Sequence, residues 1–147
     1  MKLVWGISGS FCNHAAVIKQ INDFILKGYE IYPILSQNSA SLNTRFGTAK
    51  NLYDQLLKNT GNEPKCSLEE VELIGPHCPY DAMIIAPCTS TTLSKLSNGD
   101  YDHNCTLAAK AMLRNGKPVI LAIASNDILG NTAQALFHLK NSKNIFP

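Results

Sequence analysis

Four short polar stretches in this chain have the residue types to hold an anionic, hydrogen-bonding ligand: Ser8-Gly9-Ser10, Ser36-Gln37-Asn38-Ser39, Pro87-Cys88-Thr89-Ser90-Thr91-Thr92 and Ser125-Asn126-Asp127. The first belongs to the run Val4-Trp5-Gly6-Ile7-Ser8-Gly9-Ser10, an apolar strand that passes through a tight glycine turn into a helix. Glycines let the backbone approach an anion closely, and the helix that follows adds unpaired N–H groups and the positive end of its dipole. The chemistry expected there is phosphate binding, with Gly9 and Ser10 donating through backbone N–H and hydroxyl. Ser, Thr and Asn are also ordinary helix caps, which accounts for any one stretch taken singly. Four together at strand ends point to a shared, neutral, donor-rich site. No residue reads as an obvious general base, so no catalytic residue is assigned; His77, in the loop Gly75-Pro76-His77-Cys78-Pro79, is the one acid/base candidate.

The elements that must position these stretches follow from hydrophobic periodicity. Leu3 to Ile7 reads as a buried strand, and Asn13 to Lys27 as a helix with Ala16, Val17, Ile21, Phe24 and Ile25 on one face, stopped by Gly28. Glu30 to Leu35 is a second strand, with Thr48 to Leu57 as the next helix. Residues 59 to 80 look irregular, with Cys66 to Ile74 as a short strand or helical turn. Asp81 to Ala86 is the clearest strand; Cys105 to Arg114 is a helix closed by Asn115-Gly116; Pro118 to Ala124 is a strand; Leu129 to Leu139 is a helix. Such alternation predicts an α/β fold, a three-layer, Rossmann-like, doubly wound parallel sheet with helices on both faces. In such a sheet ligands bind outside the carboxyl ends of the strands, which is where the four polar stretches fall. Ile145-Phe146 looks like the start of another strand, so residues 1 to 147 are expected to form one domain that lacks some C-terminal elements.

Composition narrows the partners. The 147 residues, 45% hydrophobic and 16% charged, suit one globular domain, and a net charge of +2 without basic runs, with 7% aromatics, gives no nucleic-acid footprint. Five cysteines, at positions 12, 66, 78, 88 and 105, are odd in number and contain no C-x-x-C pair; this argues against a zinc site or a disulfide framework and for reduced thiols, with no metal expected. Neither a signal peptide nor an apolar run of transmembrane length is present, so the cytoplasm is the expected location and no membrane contact is expected. A nicotinamide fingerprint would need G-x-G-x-x-G and an acidic residue near the end of the second strand; neither is found, and no Gly-Lys-Ser/Thr follows the glycines. A mononucleotide such as FMN fits better.

The run Ala86-Pro87-Cys88-Thr89-Ser90-Thr91-Thr92-Leu93-Ser94-Lys95-Leu96-Ser97-Asn98-Gly99, with Asp102 and Asn104 beyond it, resembles the P-A-T-A-N-T-x-x-K-x-A-x-G-x-x-D-N signature of the FMN-dependent cysteine-decarboxylase-like flavoproteins. Asn43-Thr44-Arg45-Phe46-Gly47, Arg114-Asn115-Gly116-Lys117-Pro118 and Asn126-Asp127-Ile128-Leu129-Gly130 extend the resemblance over the whole chain, to the branch that serves as one subunit of a two-subunit sporulation oxidoreductase. The resemblance implies bound FMN, a partner subunit carrying NAD(P), a small dicarboxylate substrate brought to its aromatic form, a homo-oligomer, and the mother-cell cytoplasm. It implies that Ser36 and Ser39 complete the phosphate or ribityl contacts, that Cys88, Thr89 and Ser90 run beside the isoalloxazine, and that Ser125 and Asn126 approach from the neighbouring strand. A dicarboxylate requires a cation, and Arg45 is the best candidate because a guanidinium grips a carboxylate through two parallel hydrogen bonds; Thr91 stands where decarboxylases of the family carry a substrate-binding Asn. Those decarboxylases also carry a His-Ile or His-Val pair before the central strand, where this chain has Glu70-Val71. The competing expectations are a stand-alone FMN-dependent cysteine-type decarboxylase and a non-catalytic flavin-binding regulatory subunit.

Overall fold

A computed structural model describes residues 1–147. The elements in order are β1 (Lys2–Ile7), a single 3-10 turn (Phe11–Asn13), α1 (His14–Leu26), β2 (Glu30–Leu35), α2 (Gln37–Ser41), α3 (Ala49–Thr60), α4 (Leu68–Glu72), β3 (Ala82–Cys88), α5 (Ser90–Ser97), α6 (Asn104–Arg114), β4 (Val119–Ile123), α7 (Ala133–Lys140) and β5 (Ile145–Phe146). The strands form one five-stranded, all-parallel sheet in the order β2-β1-β3-β4-β5, with helices on both faces, as expected of the α/β fold. From β1 the chain winds outward to β2 and then crosses back to β3, so the strand order reverses between β1 and β3. That reversal opens a crevice at their carboxyl ends.

Strand alternation sorts the core into two layers. Leu3, Trp5 and Ile7 of β1, with Ile31 and Leu35 of β2 and Ala82, Ile84 and Ala86 of β3, pack under Val17, Ile18 and Ile21 of α1 and Leu56 of α3. On the other face Val4, Ile34, Met83, Ile85, Val119 and Leu121 pack under α4, α5, α6 and α7. Gly6 points to this second face, where an added Cβ would meet Met83 Cε at 3.1 Å and Cys105 Sγ at 3.2 Å. The first face is left open over β4: Ile120 is 41% exposed, and its register neighbour Phe146 is 55% exposed. No helix is long and apolar enough to cross a membrane.

Three stretches differ from the pattern expected of the sequence. The polar run after β2 is helical, because the Ser36 hydroxyl accepts from the Ser39 N–H and starts α2. The irregular region contains α4, started by a reciprocal capping box between Ser67 and Glu70, while Lys65 pairs beside Ile34. The last helix begins at Ala133 and not at Leu129: residues 127 to 132 form turns, tied by the Thr132 hydroxyl donating to Asp127 at 3.2 Å, and Leu129 is 95% exposed.

Candidate functional site

Ser8 is the joint on which the site is built. Its side chain is buried between the carboxyl ends of β1 and β3, where its hydroxyl donates to Pro87 O at 2.6 Å and accepts from Thr89 N–H at 3.1 Å. The Ser8 N–H also donates to Pro87 O at 3.3 Å, and the Ala86–Pro87 peptide is cis. Next in the chain Ser10 takes a left-handed conformation, with φ 60°, and its hydroxyl accepts from Asn13 Nδ2 at 2.6 Å. The His14 ring donates from Nε2 to Ser8 O at 2.9 Å and to Gly9 O at 3.3 Å. Those carbonyls are thereby drawn towards α1, and the amides of the turn are left without a partner.

The second wall comes from the start of α2, where Ser36, itself buried, donates its hydroxyl to Ser39 Oγ at 3.1 Å. Gln37 reaches across, donating from Nε2 to Asp102 O at 3.1 Å and accepting the Asn104 N–H at 3.2 Å. Asn104, fully buried, donates to Leu35 O at 2.8 Å and Cys66 O at 2.9 Å, which fastens the end of β2 to the start of α6. The third wall is the start of α5, where Thr89 caps the helix by accepting from Thr92 N–H.

These walls enclose a polar cleft of about 520 Å³. Of the residues expected at the site, Gly9, Ser10, Ser36, Thr89 and Thr91 line it, joined by Phe11, Gln37, Asn38, Lys95, Asp102 and His103. Ser90 and Ser125 lie to one side, in hydrogen-bond contact with each other, and Ser90, Thr91 and Lys95 also line an adjoining groove of about 400 Å³ with Asp100 and Asp127. Ser39 and Cys88 are buried behind the walls, and Asn126 is exposed beyond them. Arg45 does not line the cleft; it sits at the exposed tip of the turn before α3, with its guanidinium carbon 4.8 Å from the Phe46 ring centre. His77 is exposed in its loop, away from the cleft. Glu70, of the pair Glu70-Val71, accepts the N–H groups of Cys66 and Ser67.

Lys95, Asp102 and His103 also line the cleft, where strand-end reasoning does not place them, because α5 and the loop after it fold back over it. Lys95 pairs with Asp102 at 2.8 Å and with Asp100 at 3.4 Å. The hydrogen bond to Asp102 raises the Lys95 pKa, and the same contact lowers that of Asp102. Burial, followed by the charge of Lys95, lowers the His103 pKa, so the imidazole is neutral near pH 7, and its buried Nδ1 has no hydrogen-bond partner. Burial pushes the Cys88 thiol up to about 12 and raises that of Cys105, so neither is a nucleophile at neutral pH.

The donor set of the cleft fits a phosphorylated ligand. The N–H groups of Gly9, Ser10, Gln37, Asn38 and Thr91 donate to no acceptor in the protein. Unpaired amides converging from three chain turns, with the hydroxyls of Ser10 and Thr89, match the acceptor-rich phosphate and ribityl portion of FMN.

Comparison with known proteins gives consistent results. The family model described as Flavoprotein matches residues 1–145. The chain is 39% identical over 145 residues to the B subunit of dipicolinate synthase of Bacillus subtilis (strain 168), a match covering 99% of this chain and 72% of that protein. Among solved structures, the dipicolinate synthase B subunit from Bacillus halodurans C superposes with a TM-score of 0.87 at 32% identity, covering 98% of this chain and 74% of that one. The FMN-dependent cysteine decarboxylase TvaF from thioviridamide biosynthesis shares the fold, with a TM-score of 0.76 at 21% identity over 100% of this chain and 89% of that one.

Proposed function

Because this chain belongs to the Flavoprotein family, we propose that it holds FMN in the cleft at the carboxyl ends of β1, β2 and β3 and acts as the B-type subunit of a dipicolinate synthase. The observation that carries this reading is the 39% identity to the Bacillus subtilis protein over 99% of the chain, a span that includes every wall of the cleft. In this assignment the Gly9 and Ser10 amides hold the phosphate, and Ser36 and Ser39 complete the phosphate or ribityl contacts, the Ser36 hydroxyl turning from Ser39 Oγ to donate. Thr89, Ser90 and Thr91 run along the ribityl chain and ring, Ser125 and Asn126 approach from β4, and Cys88 packs beneath. Bound FMN supplies a two-electron acceptor.

The partner is an A-type subunit carrying NAD(P), and the pair oxidises a dihydrodipicolinate-level precursor to the aromatic dicarboxylate in the mother cell of a sporulating bacterium. The protein's part is to hold the substrate against the oxidant and exclude water while one proton leaves. Glu70 favours oxidation over decarboxylation, since the position that carries His in the decarboxylases is here committed to capping α4.

Two measurements test this. The purified protein is expected to absorb in the visible from oxidised flavin, and omitting it from a mixture with the A-type subunit should abolish dipicolinate formation. A colourless protein that takes up no added FMN overturns the cofactor assignment, and carbon dioxide release from a cysteine-terminated peptide would transfer the chain to the decarboxylases.

A further inference from the structure

His103 lines the cleft, and its side chain makes no hydrogen bond in the protein. In the family signature Asn directly follows Asp, whereas here His103 stands between Asp102 and Asn104, so the resemblance gives it no role. Its place is fixed from both sides. The Gln37 amide donates to Asp102 O and accepts the Asn104 N–H, while the His103 carbonyl accepts the Leu107 N–H at 2.9 Å and the Thr106 hydroxyl at 3.0 Å. The residue is thereby held beside the start of α2, where the N–H groups of Gln37 and Asn38 have no acceptor in the protein.

The two ring nitrogens have different surroundings. Nδ1 is buried with no partner, and Nε2, also without one, is left accessible on the cleft side. Burial and the charge of Lys95 keep the ring neutral near pH 7, so it carries one N–H. An N–H at Nδ1 would be a buried donor with nothing to receive it, and a lone pair in that place is the less unfavourable orphan. The proton therefore sits on Nε2, and the ring offers the cleft an N–H donor with its lone pair turned away.

No cation in the cleft is free to take an anion, because Lys95, the one Lys or Arg lining it, is held by Asp100 and Asp102. A phosphate there depends on neutral donors such as the unpaired amides of Gly9, Ser10, Gln37 and Asn38. An accessible imidazole N–H without an acceptor, held beside two of those amides, has the chemistry to extend that set.

We propose that His103 holds the phosphate of FMN by donating from Nε2, and so sets the preference of the cleft for the phosphorylated flavin over riboflavin. The proposal rests on the cleft accepting FMN. With its lone pair on the buried side, His103 does not receive the proton that leaves the substrate.

Nitrogen NMR of the full chain, labelled with nitrogen-15 in the rings of its four histidines, tests the donor without any flavin; the His103 signals are the ones absent from H103Q. Near pH 7 the parent chain is expected to show a protonated Nε2 and a bare Nδ1. The reverse tautomer, or a doubly protonated ring, overturns the proposal. Added FMN is expected to shift Nε2 with its proton in place, and an unmoved Nε2 in the FMN-loaded protein overturns the contact. These readouts use the parent chain and decide the matter even where a variant does not fold. In fluorescence titrations H103L is expected to lower FMN affinity about tenfold or more, the loss of one hydrogen bond to a charged group, with riboflavin affinity unchanged. H103Q, whose amide N–H reaches the place of Nε2, should recover most of that loss, and H103N, whose amide reaches only as far as Nδ1, should not. Undiminished FMN binding by H103L, an equal loss for riboflavin, or recovery by H103N in place of H103Q overturns the role. If the parent chain takes up no FMN, the functional assignment fails, and the response of Nε2 to inorganic phosphate still decides whether His103 holds a phosphate.

Discussion

Asn104 shows how much of the site hangs on single side chains. Its amide satisfies the carbonyls of Leu35 and Cys66, which lie 69 and 38 positions away in sequence. Asn104→Ala leaves the buried Leu35 carbonyl and the part-buried Cys66 carbonyl without this donor, a loss of about 1–3 kcal/mol for the buried group alone, measurable as a lowered denaturant midpoint. The signature singled out Asn104, but no pattern of residue types names its partners, since they are backbone atoms brought near by the fold. Gly6 presents the reverse case. Sequence reasoning reads it as freedom for a phosphate turn, yet its position is fixed by Met83 and Cys105 packed against its missing Cβ. Gly6→Ala should therefore cost about 1–3 kcal/mol through overpacking and leave FMN uptake by the folded protein intact, as a flavin titration beside a thermal melt would show.

At the scale of elements, strands were legible to within two residues because each is a continuous apolar run, whereas short helices were not. α4 has five residues and is held by its cap: Glu70 accepts the Cys66 N–H at 2.7 Å and the Ser67 N–H at 3.1 Å. Those hydrogen bonds, the Cys66 one foremost, lower the Glu70 pKa below its ordinary 4.5 against a smaller opposing effect of burial. A carboxylate lowered in the folded state adds stability above its unfolded pKa, and that stability is lost as pH falls through the folded value. Glu70→Gln should thus reduce stability at pH 7 and flatten the acid side of the stability profile below about pH 4.5, as urea melts across pH would show. Steeper acid unfolding in the variant would contradict the cap. At α7 the opposite error occurs: Leu129 has helical spacing but lies in a turn, because the Thr132–Asp127 bond closes the chain locally before the helix begins.

For the whole molecule, alternation of strand and helix was sufficient to predict the parallel sheet, whose strand ends hold the polar cleft, because periodicity and the crossover rule leave few other topologies. Strand order and the folding of α5 over the cleft depend on long-range packing and were not legible. The layered core also grades the five thiols, all free: Cys12 is exposed, Cys66 and Cys78 are partly covered, and Cys88 and Cys105 are buried. A thiol reagent at pH 8 should therefore label Cys12 promptly, Cys66 and Cys78 slowly, and the last two only on unfolding; rapid labelling of Cys88 would show that β3 is looser than its packing implies. The central pairing of the sheet joins Val4 to Met83, so β1 leaves the ribosome 79 residues before its neighbour on that side. At about 5–20 residues per second that is a wait of ~4–16 s, during which half of the strand's hydrogen-bonding edge has no match. Since no strand pair in this sheet is a local hairpin, folding must close long loops before any central contact rewards it, and refolding from urea is expected in the slow, millisecond-to-second range of non-local topologies. Microsecond recovery of Trp5 fluorescence in a stopped-flow or temperature-jump experiment would contradict this order of events.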